Sequence, residues 1–289
     1  MATYSDKTFD TNRYDQARPS YPEEFYQCLI KYHQIDGNQL DTAIDIGCGT
    51  GIVTFQLAKY FTNVIGTDPS STMIEQCNKF VSTRQADPNR IKFMIGSAEQ
   101  FPPTIKENSC DMITGAECIH WVDHDKFFQA AHRILKPNGT LAYWFYKEPI
   151  FIGNEHANQL YDEYCYGEQF MGPYWQQPGK NFLRTLMKEV PVPSDLYHDV
   201  QRFEYLVDQS GRPIAMETTP LLIKMTVKLD WWENYIKSWS AYHSWMKDHG
   251  HEYDIAERFV QELKQQFSWN DDTEIDLVWD TMYTFARKR

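Results

Sequence analysis

The residues able to do chemistry concentrate in one short stretch. Residues 43–51 read Ala-Ile-Asp-Ile-Gly-Cys-Gly-Thr-Gly, and a second carboxylate, Asp68, follows another apolar run. Asp45 lies inside the first run, and Gly47, Gly49 and Gly51 take alternate positions after it. Glycines this close suit a turn that admits positive φ and lets a ligand approach the backbone. A carboxylate at a strand tip can accept hydrogen bonds from both hydroxyls of a ribose. Val53, Leu57 and Phe61 recur at helical spacing after the turn, and residues 63–67 read as a strand. The order is strand, glycine turn, helix, strand, acid: the first half of a nucleotide-binding Rossmann unit.

Glycine spacing selects the nucleotide. A dinucleotide fingerprint is G-x-G-x-x-G, whose backbone and helix N-terminus meet a pyrophosphate. Here the third glycine comes one residue early. S-adenosylmethionine carries no phosphate and needs open space where its methionine tail crosses the first strand end, which glycines leave. The charge of Asp68 disfavours a 2′-phosphate. With these motifs the chain resembles the class I S-adenosylmethionine-dependent methyltransferases over residues 10–147. The resemblance implies S-adenosylmethionine as cofactor, with Asp45, Gly47, Gly49 and Gly51 shaping the methionine pocket and Asp68 holding the ribose. It further implies adenine contacts from Ser97, Ala98 and Glu99, and a place beside the cofactor for Tyr14, Met73 and Ala116. Many relatives carry Asp where this chain has Ser97. In the family, the tip of the strand at 111–115 faces the transferred methyl group, and here it runs into Ala116-Glu-Cys-Ile-His120-Trp121.

Several residues are candidates to choose the acceptor. His120 has a side-chain type that titrates near neutrality, so it can serve as a general base or as a hydrogen-bond donor to an anion. The segment Arg13-Tyr-Asp-Gln-Ala-Arg18-Pro-Ser-Tyr-Pro22 mixes arginines, aromatics and prolines. In related methyltransferases such a segment folds over the ligand as a lid. Two aromatic stretches follow: residues 172–179 with Trp175, then Lys180 and Arg184; and residues 238–245 with Trp239, Tyr242 and Trp245 at i, i+3 and i+6. Aromatics with polar tips suit a pocket wall, and the same stripe suits a core. These stretches, the lid segment and residues 117–121 are similar to fungal trans-aconitate methyltransferases and to related enzymes acting on cantharidin-type toxins. That resemblance implies methyl transfer to a carboxylate oxygen of a small organic acid, with Arg18, His120, Trp121, Trp175, Lys180, Arg184, Trp239 and Tyr242 toward the acceptor. A carboxylate is ionised at pH 7 and needs no base; a phenol would need one, and His120 would supply it.

The elements that must position these residues are legible as alternation. Strands are expected at 43–46, 63–67, 91–95, 111–115 and 140–146, with a helix near 123–135 stopped by Lys136-Pro-Asn-Gly139. Residues 197–207 and 273–286 alternate as strands six and seven, and 221–229 is a further strand-like run. Helices are expected near 155–167, 181–189, 231–239, 241–249 and 254–267. The alternation implies an α/β fold with a mostly parallel sheet and a cap insertion, and the resemblance implies a seven-stranded Rossmann-like sheet with an antiparallel last strand and helices on both faces. The division expected within this single domain is a lid at 1–38, a cofactor core at 39–147, a cap at 148–195, and C-terminal strands and substrate-facing helices at 196–289.

Bulk composition narrows the function. The 289 residues carry 28 basic and 40 acidic side chains, a net charge of −12, which disfavours a nucleic-acid partner. Six cysteines form no C-x-x-C pair and no zinc spacing, so no metal is expected. The first residues show no apolar signal core, and no run of 18 apolar residues occurs. A cytoplasmic monomer or homodimer with a small-molecule partner and no membrane contact is expected.

Overall fold

In the computed structural model, residues 4, 9–35, 37–215 and 218–289 are described. Residues 1–3, 5–8 and 36 of the expected lid, and 216–217 of the expected C-terminal segment, lie outside them.

Two helices, α1 (Thr11–Ala17) and α2 (Glu23–Gln34), precede the sheet. Then come β1 (Thr42–Ile46), α3 (Ile52–Leu57), β2 (Asn63–Asp68), α4 (Ser71–Thr83), β3 (Ile91–Ile95), β4 (Cys110–Ala116), α5 (His124–Ile134) and β5 (Leu135–Phe151). The chain continues through α6 (Glu155–Tyr166), α7 (Gly179–Arg184), β6 (Tyr197–Tyr205), β7 (Lys224–Lys228), α8 (Leu229–Lys237), α9 (Ser240–His249), α10 (Ile255–Phe267) and β8 (Glu274–Lys288).

The sheet order is β3-β2-β1-β4-β5-β8-β6, with β7 also on β8. The first five strands pair in parallel, and β8 runs antiparallel to β5, β6 and β7. The sheet therefore has eight strands, not seven. Its extra strand comes from the apolar run at 221–229. β8 is long enough to hold two neighbours on one edge: residues 274–278 pair with β7, and residues 281–288 pair with β6.

A second difference concerns Lys136-Pro-Asn-Gly139. The helix does end just before it, at Ile134, where Asp123 caps the other end by accepting from the Lys126 amide. The tetrapeptide itself is the irregular start of β5, not a turn. Pairing with β4 jumps from Cys110–Leu135 to Met112–Thr140, which absorbs the extra residues.

Period-two alternation in β5 divides the core. Leu141, Tyr143 and Phe145 pack with Phe127, Phe128 and Ala131 of α5. Ala142 and Trp144 face the other way, against Phe25 and Leu29 of α2 and Val53 and Leu57 of α3. A third cluster joins α6, α8, α9 and α10 through Tyr161, Tyr164, Trp232, Tyr235, Tyr242, Trp245 and Phe259, with Trp239 between α8 and α9.

Phe127 is fully buried between α5 and the sheet. Phe127→Ala should lower unfolding stability by about 3–5 kcal/mol, read as a lower urea midpoint at unchanged slope.

Candidate active site

The glycine turn leaves β1 with φ of +55° at Gly47, +53° at Gly49 and +86° at Gly51, the left-handed region that favours glycine. Gly49 also has room above it: a Cβ there would meet only the Tyr14 ring, at 3.9 Å. Its N–H donates to Asp68 at 3.0 Å, and the Ser70 N–H donates to the other Asp68 oxygen at 2.8 Å. Burial raises the Asp68 carboxyl while these two amides hold it down. Asp45 is buried beneath the turn and accepts from the hydroxyls of Thr54 (2.7 Å) and Thr114 (3.0 Å). Burial pushes it up to about 7 against those two donors.

The N-terminal segment crosses this turn. Asp15 of α1 accepts from Thr50 at 2.8 Å and pairs with Arg84, just past the end of α4, at 2.9 Å. Asn12 accepts from Gln76, and the Ser70 hydroxyl donates to the Tyr4 carbonyl. The Arg18 guanidinium then stacks on Tyr14, 4.7 Å from its centroid, and donates to the Ser238 carbonyl.

Two adjoining cavities result. The first is lined by Asp45, Gly47, Gly49, Ala116, Tyr14 and Arg18, among others. The second is lined by Arg18, His120, Trp121, Trp175, Lys180 and Trp239, together with Glu117, Tyr146, Glu148, Tyr161 and Tyr235. The chemistry of the first cavity fits S-adenosylmethionine: Gly47, Gly49 and the Arg18 guanidinium line it, and the Asp68 carboxylate, outside the lining, is held to the Gly49 amide.

The cap places its residues by close approach. A Cβ at Gly179 would lie 2.6 Å from the Trp121 ring, so only glycine lets the start of α7 sit there. Lys180 is thereby buried, 6% exposed, over the Trp175 ring at 4.0 Å and paired with Glu148 at 2.8 Å. Burial opposes the charge of both partners, but their attraction wins: Lys180 is raised and Glu148 lowered, so both stay ionised. His120 packs against Trp121 and Phe145, its Nδ1 buried without a partner. Burial, then Lys180 and Arg18, push it down to about 3, so it is neutral at pH 7.

Other candidates lie elsewhere. Arg184 stacks on Tyr166 and lines a separate cavity behind the Glu148–Lys180 pair. Tyr242 spends its hydroxyl on Asp254 at 2.8 Å and packs in the helical core. Glu99 accepts from the Asp123 amide and Ser97 from the Gln100 amide, so both hold the backbone at the start of α5 and after β3. Ala98 and Met73 are buried. Spacing did not single out Glu117, Tyr146, Glu148 or Tyr235. Glu117 and Tyr146 had one usable signal: Glu117 follows β4 and Tyr146 ends the strand expected at 140–146, at the carboxyl edge where ligands of open α/β sheets lie.

Comparison with known proteins bears on the family and the fold. A methyltransferase domain family matches residues 44–143. CRG1 of Saccharomyces cerevisiae, a probable S-adenosylmethionine-dependent methyltransferase, is 33% identical over 99% of this chain and 98% of its own. Methyltransferase ptaI of Pestalotiopsis fici is 29% identical over 68% of this chain and 62% of its own. A solved structure of a candidate type II methyltransferase from Anaeromyxobacter dehalogenans superposes with a TM-score of 0.66 at 19% identity, covering 93% of this chain and 97% of its own; it shares the fold.

Lys180→Ala would strand Glu148 as an unpaired buried charge. It should cost about 3–5 kcal/mol of stability by denaturant unfolding, much of it recovered when Glu148→Gln is added.

Proposed function

Since the chain belongs to the S-adenosylmethionine-dependent methyltransferases, we propose that its acceptor is a small organic acid, trans-aconitate being an example, methylated on a carboxylate oxygen. The observation that carries this reading is Arg18. Of the cations lining the second cavity among the described residues, Lys180 is neutralised by Glu148 and Lys147 by Asp280 at 2.8 Å. Among the described residues Arg18 has no carboxylate within ion-pair distance, and its Nε is buried without a partner. A desolvated guanidinium in that state favours an incoming carboxylate, whose two oxygens match its planar fork.

The cofactor supplies an electrophilic sulfonium methyl. Gly47, Gly49 and Asp68 would hold it, with Asp45 beneath the turn. Arg18 would orient the acid, and Trp121, Trp175 and Trp239 would exclude water around the attacking oxygen. That oxygen is already ionised at pH 7, so catalysis is positioning and desolvation. His120 supports the same reading: a ring that protonates near 3 is a poor base at neutral pH but a competent neutral hydrogen-bond donor. The cavity is walled by large side chains, which favours an enclosed small molecule over a macromolecule. Phenols and cantharidin-type acids are the competing acceptors, and a non-catalytic binder is the competing class.

The test is S-adenosylhomocysteine formation with trans-aconitate, other di- and tricarboxylates, a cantharidin-type acid and a phenol. Turnover is expected on an acid. Arg18→Ala should raise KM at least tenfold. His120→Asn should lower kcat by less than about tenfold, whereas losing a general base costs about 10²–10⁴-fold. Turnover on the phenol alone, or on no acid at all, would overturn the proposal.

A further inference from the structure

Four side chains line both cavities: Tyr14, Arg18, Glu117 and Tyr146. A methyl group passed from one cavity to the other crosses the junction they make. Glu117 is the one carboxyl among the four. It follows β4 with φ of +52°, a conformation uncommon for a side-chain-bearing residue. Its N–H donates to the Trp144 carbonyl at 3.1 Å, and its carboxyl accepts from the Tyr146 N–H. Both ends of the residue are thus fixed to β5, with the carboxyl held at the junction.

We propose that Glu117 reads the positive charge on the donor's sulfur, so that the site prefers S-adenosylmethionine to its product S-adenosylhomocysteine. The two differ there by one methyl group and one charge. A carboxylate at the junction attracts the sulfonium and is nearly indifferent to the thioether, which favours exchange of product for fresh donor. The inference rests on the cofactor and not on the acceptor: failure of every acid in the panel would leave it intact.

The surrounding charges set how this operates. Burial raises Glu117 to about 8; the Tyr146 N–H, Arg18 of the N-terminal segment and Lys180 of α7 oppose the rise, and Glu148 of β5 adds to it. Tyr14, Tyr21, Tyr146, Tyr235 of α8 and the Cys118 thiol also face it, all raised by burial and hence neutral near pH 7. His120 is neutral there too. In the ligand-free site Glu117 therefore carries its proton near pH 7. A sulfonium beside it favours the ionised form, and the proton leaves to solvent; a thioether leaves it in place. By linkage, this group makes affinity for S-adenosylmethionine rise with pH up to about 8 and flatten above, with no such rise for S-adenosylhomocysteine.

The experiment is titration calorimetry of both ligands against the wild-type protein and Glu117→Gln, across about pH 6.5–9, in buffers of differing ionisation enthalpy. Gln keeps an oxygen to accept the Tyr146 N–H. The wild-type preference for S-adenosylmethionine should climb several-fold toward pH 8, and the variant should lose roughly tenfold of it. Extra proton release should occur only with wild type and S-adenosylmethionine. Asp45 also titrates near 7 in the donor cavity, but both proteins carry it, so their difference isolates Glu117. Equal preferences in the two proteins would overturn the proposal. If the variant does not fold, a wild-type preference flat with pH would do the same.

Discussion

The carboxylate of Asp68 is the tie on which the site depends. It accepts from Gly49 in the turn after β1 and from Ser70 at the start of α4. Ser70 in turn caps α4 through the Met73 amide and reaches the Tyr4 carbonyl of the N-terminal segment. One buried acid therefore sets the shape of the glycine turn, the position of α4 and one anchor of the strap above them. Its own cost is the desolvation that raises its pKa, offset by two charge-assisted amide bonds. An apolar substitute would leave both amides without that partner.

Beyond that tie, the second cavity is organised by neutralising charge. Lys180 meets Glu148 and Lys147 meets Asp280, each pair drawn from different elements. Near pH 7 His120 and Glu117 are neutral because burial penalises their charged forms. What remains is Arg18 among aromatic rings. For the proposed reaction this is a favourable background: an anionic oxygen and a sulfonium neutralise each other as the methyl moves, and a dry aromatic wall strengthens their attraction.

Legibility followed the range of the interactions. β1 to β4 and α5 were readable because their patterns are local: short apolar runs, turn glycines, and Asp123 three residues before its amide partner. β7 was readable as a strand-like run but not as an eighth strand, because its place depends on the length of β8, some 50 residues away. Lys136-Pro-Asn-Gly139 has turn chemistry, yet β4 recruits it into the sheet through a register jump that only pairing reveals. Arg184 and Lys180 lie one helical turn apart on the same short helix, but they face different cavities. Tyr242 looked like a pocket wall until Asp254 took its hydroxyl.

By itself, the sequence determined the α/β class, the positions of the first five strands, and the glycine turn paired with an acid at the next strand tip. These follow from positive-φ tolerance and hydrophobic periodicity, properties of residues near one another in the chain. Tertiary structure alone decided which charges survive in the second cavity. Pairing Lys180 with Glu148, leaving Arg18 without a carboxylate partner among the described residues and placing Glu117 at the junction all require residues brought together from the ends of α1 and β4 and from β5 and α7. Their ionisation depends on shared burial, and burial is a property of the packed molecule, not of any residue's type.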